Sequence, residues 1–168
     1  GYLLDNLLSS LIFAFFLTAL LIGFMFRSFK MILVSIIPNL LPLFLTAGLM
    51  GFLDIPLKPS TILVFGIAFG LSVDDTLRFL SQYREELKKN NWKIKKSVYA
   101  TFNESGLSMF YTSIVLFFGF SVFMLSSFGG TIALGGLISL TLLFGMLSNL
   151  MLLPALVLTL NKTLANEQ

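Results

Sequence analysis

Cysteine and histidine are both missing from the 168 residues. Their absence excludes a thiol nucleophile, a disulfide, a thiolate or imidazole metal site and a Ser-His-Asp triad. Charge is scarce too. Only 11% of the residues are Asp, Glu, Lys or Arg, whereas a soluble domain is about one quarter charged. Apolar residues fill their place: 57% of the chain is hydrophobic, 19 residues are Phe, and the mean hydropathy is +0.94. This is the composition of an integral membrane protein. The net charge of +3 is no nucleic-acid signature, because the basic residues gather where membrane topology would put them. The chain opens Gly-Tyr-Leu-Leu, with neither Met nor a basic n-region, so it shows no signal peptide. The missing Met points to a piece of something longer.

Five apolar stretches are long enough to cross a hydrocarbon layer roughly 30 Å thick. They cover about 7–26, 31–53, 61–87, 107–128 and 131–160. The predicted fold is therefore all-α, a polytopic bundle of five transmembrane helices forming one domain over 1–168. In the second span Pro38 and Pro42 share a face one turn apart, beside Asn39. Proline frees backbone carbonyls, which neighbours or water must then satisfy. Residues 88–105 are expected to form a basic cytoplasmic connector. Its stretch KKNNWKIKKSVY reads as a segment on the membrane surface with lysines near anionic headgroups, or as a solvated linker. Nine basic residues (Arg27, Lys30, Arg84, Lys88, Lys89, Lys93, Lys95, Lys96, Lys162) fall on one side and Lys58 alone on the other. The positive-inside rule then makes the C-terminus cytoplasmic and puts Gly1 outside.

The stretch with chemistry in it is TILVFGIAFGLSVDDTLRFLSQYREE, from Thr61 to Glu86. At a rise of about 1.5 Å per residue, Asp74 lies about 18 Å from Ile62 and about 15 Å from Arg84, close to the bilayer midplane. A carboxylate there costs on the order of 3 kcal/mol to insert, which makes an accidental one improbable. Gly66, Gly70, Asp74 and Arg78 recur every four residues. The two glycines are expected to admit a partner helix closely, aiming Asp74 and Asp75 at protein or a wet cleft. Two more stripes are small and polar: Ser105, Ser108, Thr112 and Gly119 in the fourth span, and Thr141, Gly145, Ser148 and Asn149 in the fifth. Each alone reads as helix packing, but together they suggest a shared wet interior. Two touching carboxylates in a low dielectric do not easily both stay ionised, so the pair can load a proton from one side and release it to the other. The bland alternative is an i,i+4 ion pair of Asp74 with Arg78.

GLSVDDTLRFLSQYREE resembles the G-x-x-x-D-D motif and following R-[YF]-R-E-E of the resistance-nodulation-division superfamily. The likeness is nearest to the branch of hydrophobe/amphiphile exporters, MMPL-type lipid transporters and Patched-like proteins. FRSFKMILVSIIPNLLP, GFLDIPLKPST, GLSMFYTSIVLFFGF and LLPAL follow the same pattern in order, so the resemblance covers nearly the whole chain. It implies the C-terminal transmembrane half of a proton-driven exporter, five helices of a six-helix repeat, and no enzyme. It further implies protons as the coupling ion, no cofactor and no metal, and location in the cell's inner membrane. Its implied partners are the bilayer, an N-terminal half with periplasmic domains, and a hydrophobic or lipid substrate; a homo-oligomer is allowed and nucleic acid is not expected. The proton relay carries over to Asp74 and Asp75, supported by Arg78, Thr112 and Asn149. Relatives often have His at the position of Arg78 and Asp at that of Asn149. The runner-up is a Patched-like, sterol-sensing-type module that binds a lipid and regulates without pumping.

Overall fold

The structure, a computed structural model, describes residues 2–27, 29–56 and 58–165. It is an all-α membrane helix bundle, with no strand among the described residues. Helix α1 (Tyr2–Phe26) ends at Arg27, which takes φ 51° in the left-handed region and donates its N–H to the Gly23 carbonyl at 2.7 Å. Helix α2 (Phe29–Phe52) ends in the same way at Asp54, φ 53°, with the Ile55 N–H reaching back to the Met50 carbonyl at 2.9 Å. Both are left-handed caps built without glycine; each satisfies carbonyls that the last helical turn leaves free. Helix α3 (Pro59–Lys89) starts with proline in its first turn, where the missing N–H costs nothing. The Thr61 hydroxyl accepts the Lys58 N–H at 2.8 Å and fixes that start.

After the turn Asn90–Trp92 the chain reverses into α4 (Ile94–Thr101), passes through a π-helical turn (Phe102–Gly106) and continues as α5 (Leu107–Ser121). The expected connector is helical over most of its length. Residues 94–105 form the first turns of the fourth long helix. Ser97, Val98 and Thr101 are buried, and the Ser97 hydroxyl bonds the Glu86 carbonyl at 3.2 Å. The cause is an i,i+3,i+4 face of small and apolar residues, which docks on the end of α3 while Lys95 and Lys96 stay exposed. Glu86 locks the reversal. Its buried carboxylate meets Lys89 Nζ at 3.0 Å and Asn90 Nδ2 at 3.1 Å.

Helix α6 (Gly129–Ala165), 37 residues long, packs against α2, α3 and α5, while α1 lies at the edge on α2 and α3. Among the described residues three segments are long and apolar enough to cross a membrane: Lys30–Phe52, Ile94–Leu125 and Gly129–Thr159. The apolar stretch Ile12–Phe24 of α1 is shorter. Helix α3 is interrupted by Asp74, Asp75 and Arg78. The perimeter is apolar, with Phe13, Phe16, Phe24, Phe44 and Phe118 all exposed, as a lipid-facing surface requires.

The interior consists of two apolar clusters along the bundle. One, at the basic end, joins Ile22, Phe79, Leu80, Tyr83, Val98, Met109 and Leu153. The other, at the far end, joins Leu43, Val64, Phe65, Ala68, Phe69 and Ile138. Between them lies a layer of polar side chains at the level of the aspartates. Asn39 accepts hydrogen bonds from Ser72 Oγ at 2.6 Å and Thr76 Oγ1 at 2.9 Å, and donates to the Ser35 carbonyl at 2.9 Å. Asn149 closes the layer from α6, donating to the Ser72 carbonyl at 3.3 Å and facing Thr76 Oγ1 at 3.3 Å. Pro42 has no N–H for the Pro38 carbonyl, and the Ser148 hydroxyl supplies the missing donor at 2.8 Å. One turn further along, the Thr46 and Thr141 hydroxyls bond each other across α2 and α6.

Candidate functional site

Helix α3 is two-sided. Thr61, Val64, Phe65, Ala68, Phe69, Ser72, Thr76, Phe79, Leu80 and Tyr83 are buried at three- and four-residue spacing, so that face packs inward. The opposite face carries Gly66, Gly70, Asp74 and Arg78, all exposed. A Cβ added at Gly66 or Gly70 would meet nothing within 4 Å. The close helix approach expected at these glycines is therefore not made by any described element of this chain. The inward face is set by the larger apolar residues, whose burial outweighs anything a glycine stripe offers.

The two aspartates sit differently. Asp74 Oδ2 lies 3.1 Å from Arg78 Nη2, one turn away, with the two side chains 65% and 44% exposed. Arg78 also reaches the Ser108 hydroxyl of α5 through Nη1 at 3.5 Å. The one-turn ion pair, the bland alternative for Asp74, is thus present. Asp75, 100° further round the helix, is half-buried and opens into a cavity of about 390 Å³ between α3 and α5. Tyr111, Thr112 and Ser113 line it together with Leu71, Leu116 and Leu142. No described residue gives Asp75 a hydrogen bond or an ion pair. No buried side-chain oxygen among the described residues lacks a partner, so the Asp75 carboxylate must be reached from the cavity. The Thr112 hydroxyl donates to the carbonyls of Ser108 or Met109, both at 3.0 Å, leaving its lone pairs for an incoming donor.

Of the residues singled out in the sequence, Asp74, Asp75, Arg78 and Thr112 come together at this cavity. Asn149 does not. It is fully buried on the opposite side of α3, in the layer with Asn39, Ser72 and Thr76. The single wet interior is replaced by two separate polar regions, one open to a cavity and one buried with its polar atoms paired. Ser72 and Thr76 flank the aspartates in sequence, and their i,i+4 spacing is the signal that marks the buried side. Among the described residues no cluster of His, Cys, Asp or Glu could hold a metal ion.

Comparison with known proteins bears on this arrangement. The chain is 30% identical over 125 residues to a protein of Methanocaldococcus jannaschii designated a membrane protein. The match takes in 74% of this chain and 32% of that protein, so the chain spans about a third of its relative's length. No solved structure matches. The model of the MMPL family matches residues 5–167, which takes in all but the first residues of α1 and includes the aspartate cavity. The chain belongs to the MMPL family.

Proposed function

We propose that this chain is the proton-conducting membrane part of a transporter that exports lipid-like or hydrophobic substrates, with Asp75 as the proton carrier. The observation behind this reading is a lone carboxylate, without an ion pair or hydrogen bond among the described residues, opening into a cavity between α3 and α5. Membership of the MMPL family supports the transporter class.

The two carboxylates divide the work. Arg78 cancels Asp74, so the net charge beside the cavity is set by Asp75 alone: negative when empty, neutral when loaded. Such a site binds a proton reversibly and moves it through the membrane field, which supplies about 2.3 kcal/mol per charge per 100 mV. The basic end faces the cytoplasm of an inner-membrane protein, and a second transmembrane half with periplasmic domains handles the substrate. The test is Asp75→Asn in proteoliposomes under an imposed proton gradient. Asn keeps the volume and removes the titrating group, so proton-coupled transport should fall at least about 100-fold with the protein still folded and inserted. Asp74→Asn should also stop transport, because it frees Arg78 to pair with Asp75. Gradient-driven transport at the wild-type rate in Asp75→Asn would refute the reading.

A further inference from the structure

From the cavity, a series of polar side chains runs along α3 and its neighbour toward the basic end of the bundle. On α3, Asp75, Arg78 and Gln82 follow one another at three- and four-residue spacing; on the facing helix stand Thr112, Ser108 and Glu104, each four residues apart. Two cross-contacts join the series: Arg78 Nη1 to Ser108 Oγ at 3.5 Å, and a short hydrogen bond that Gln82 Nε2 donates to Glu104 Oε2. Gln82 lies seven residues from Asp75, hence about 10 Å along the helix and on nearly the same face. Each step is about one helical turn, 5.4 Å, which one water spans with two hydrogen bonds of about 2.8 Å.

The π turn Phe102–Gly106 explains how Glu104 joins this face. In an unbroken α-helix the eight residues from Thr112 to Glu104 would rotate about 80° beyond two full turns. A turn closed by i→i+5 bonds holds more residues and removes part of that drift. Within it Ser105 and Gly106 are buried against the bundle while Glu104 is exposed. Gly106 fits there beside Leu150 of α6, whose Cδ2 would lie 3.5 Å from an added Cβ.

Glu104's choice of partner is the second observation. It stands at the end of the bundle richest in lysine and arginine, yet among the described residues it pairs with none of them. Its hydrogen bond is to the neutral amide of Gln82. A carboxylate tied to an amide keeps a free oxygen for a proton. The charged groups on the elements around it are Arg78, Arg84, Glu85, Glu86, Lys88 and Lys89 of α3 and Lys95 and Lys96 of α4, and α6 carries Lys162 near its end. Glu85 and Glu86 are held by Lys89 at 3.3 and 3.0 Å, and Arg78 by Asp74, which leaves Glu104 as the carboxylate facing the path.

We infer that Glu104, positioned by Gln82 and the π turn, is the proton port between the Asp75 cavity and water on the basic side of the membrane. The inference rests on Asp75 as proton carrier. In the release step the O–H bond of protonated Asp75 breaks, its proton passes through water beside Ser108, and an O–H bond forms on Glu104. That bond then breaks to give the proton to bulk water, so both carboxylates return to their starting state and one proton has crossed.

The test uses the full chain in proteoliposomes, with a pH-sensitive dye inside and an imposed gradient. Glu104→Gln should slow proton flux about tenfold and flatten its dependence on the pH at the basic side, and Glu104→Asp should restore most of both. A purely structural role would leave that pH profile unmoved. The chain has no cysteine, so Ser108→Cys is a clean probe: a small charged thiol reagent should label it from the basic side. Wild-type flux and pH profile in Glu104→Gln, with Asp75→Asn inactive, would overturn the port and leave the carrier standing. Wild-type flux in Asp75→Asn would overturn both. Labelling of Ser108→Cys from the opposite side alone, or not at all, would also overturn the port.

Discussion

The bond from Ser148 to the Pro38 carbonyl allows a quantitative test of how this bundle tolerates two prolines in one membrane helix. Pro42 has no N–H to offer Pro38, and the isolated α2 helix carries that deficit with it. A buried carbonyl left without a donor costs about 1–3 kcal/mol. Hydrogen bonds between membrane helices average about 0.6 kcal/mol and reach about 1.7, because the separated helices usually find other partners. Here the separated helix has no such partner, since proline removed it. Ser148 is buried and the bond is 2.8 Å long, so the upper part of the range applies, about 1.5 kcal/mol. Ser148→Ala should therefore shift the unfolding equilibrium roughly tenfold.

Pro42→Ala supplies the control. It restores an N–H one turn beyond Pro38, and the Ser148 hydroxyl then becomes redundant. In that background Ser148→Ala should cost no more than about 0.5 kcal/mol, giving a coupling of about 1 kcal/mol between the two sites. The measurement is reversible unfolding of the four variants in mixed detergent micelles, followed by circular dichroism. Additive losses, with Ser148→Ala equally costly with and without Pro42, would refute the account of Ser148 as the replacement donor.

Two glycines should respond in opposite ways. At Gly135 an added Cβ would lie 2.6 Å from Phe123 Cβ and 2.7 Å from the Phe120 carbonyl oxygen, so Gly135→Ala must push α5 from α6. It should cost about 1–3 kcal/mol and lower the thermal midpoint in detergent by about 2–4 °C for each of them. An unchanged midpoint would refute the close crossing. At Gly70 nothing lies within 4 Å, so Gly70→Ala should keep or raise stability, by up to about 1 kcal/mol from helix propensity. A lower midpoint would refute the open face, and lost transport with the fold intact would place Gly70's partner outside this chain.

Composition was enough to read the membrane and the all-α class, because scarce charge and long apolar runs have few other physical explanations. The motif around Asp74 and Asp75 pointed to the family and to the helix that carries the cavity. What local pattern could not give was the direction of each face. Gly66 and Gly70 look like a packing stripe, but the choice of inward face lies with Val64, Phe65, Ala68 and Phe69, which bury far more apolar area. The helical packing within 88–105 is hidden in the sequence because its lysines outweigh Ser97, Val98 and Thr101 in any average. Those three fix the hairpin, since they sit on one side of the helix and bury together. The pairing of Glu104 with Gln82 depends on a π turn, which no local spacing rule anticipates.

Helical geometry explains why one expected wet interior becomes two regions. Ser72 and Asp74 are two residues apart, a rotation of about 200°, so they must look to opposite sides of α3. Thr76 lies one turn from Ser72 and follows it inward, where Asn39 and Asn149 complete a layer with every buried side-chain polar atom satisfied. A satisfied layer in a low dielectric is stiff, because breaking any bond leaves a polar group stranded. It ties α2, α3 and α6 together at the depth where α3 also carries its charges. If Asp75 is the proton carrier, its charge then changes on the side of α3 away from that layer. The bonds across α2, α3 and α6 can persist while the cavity facing α5 takes up the electrostatic change.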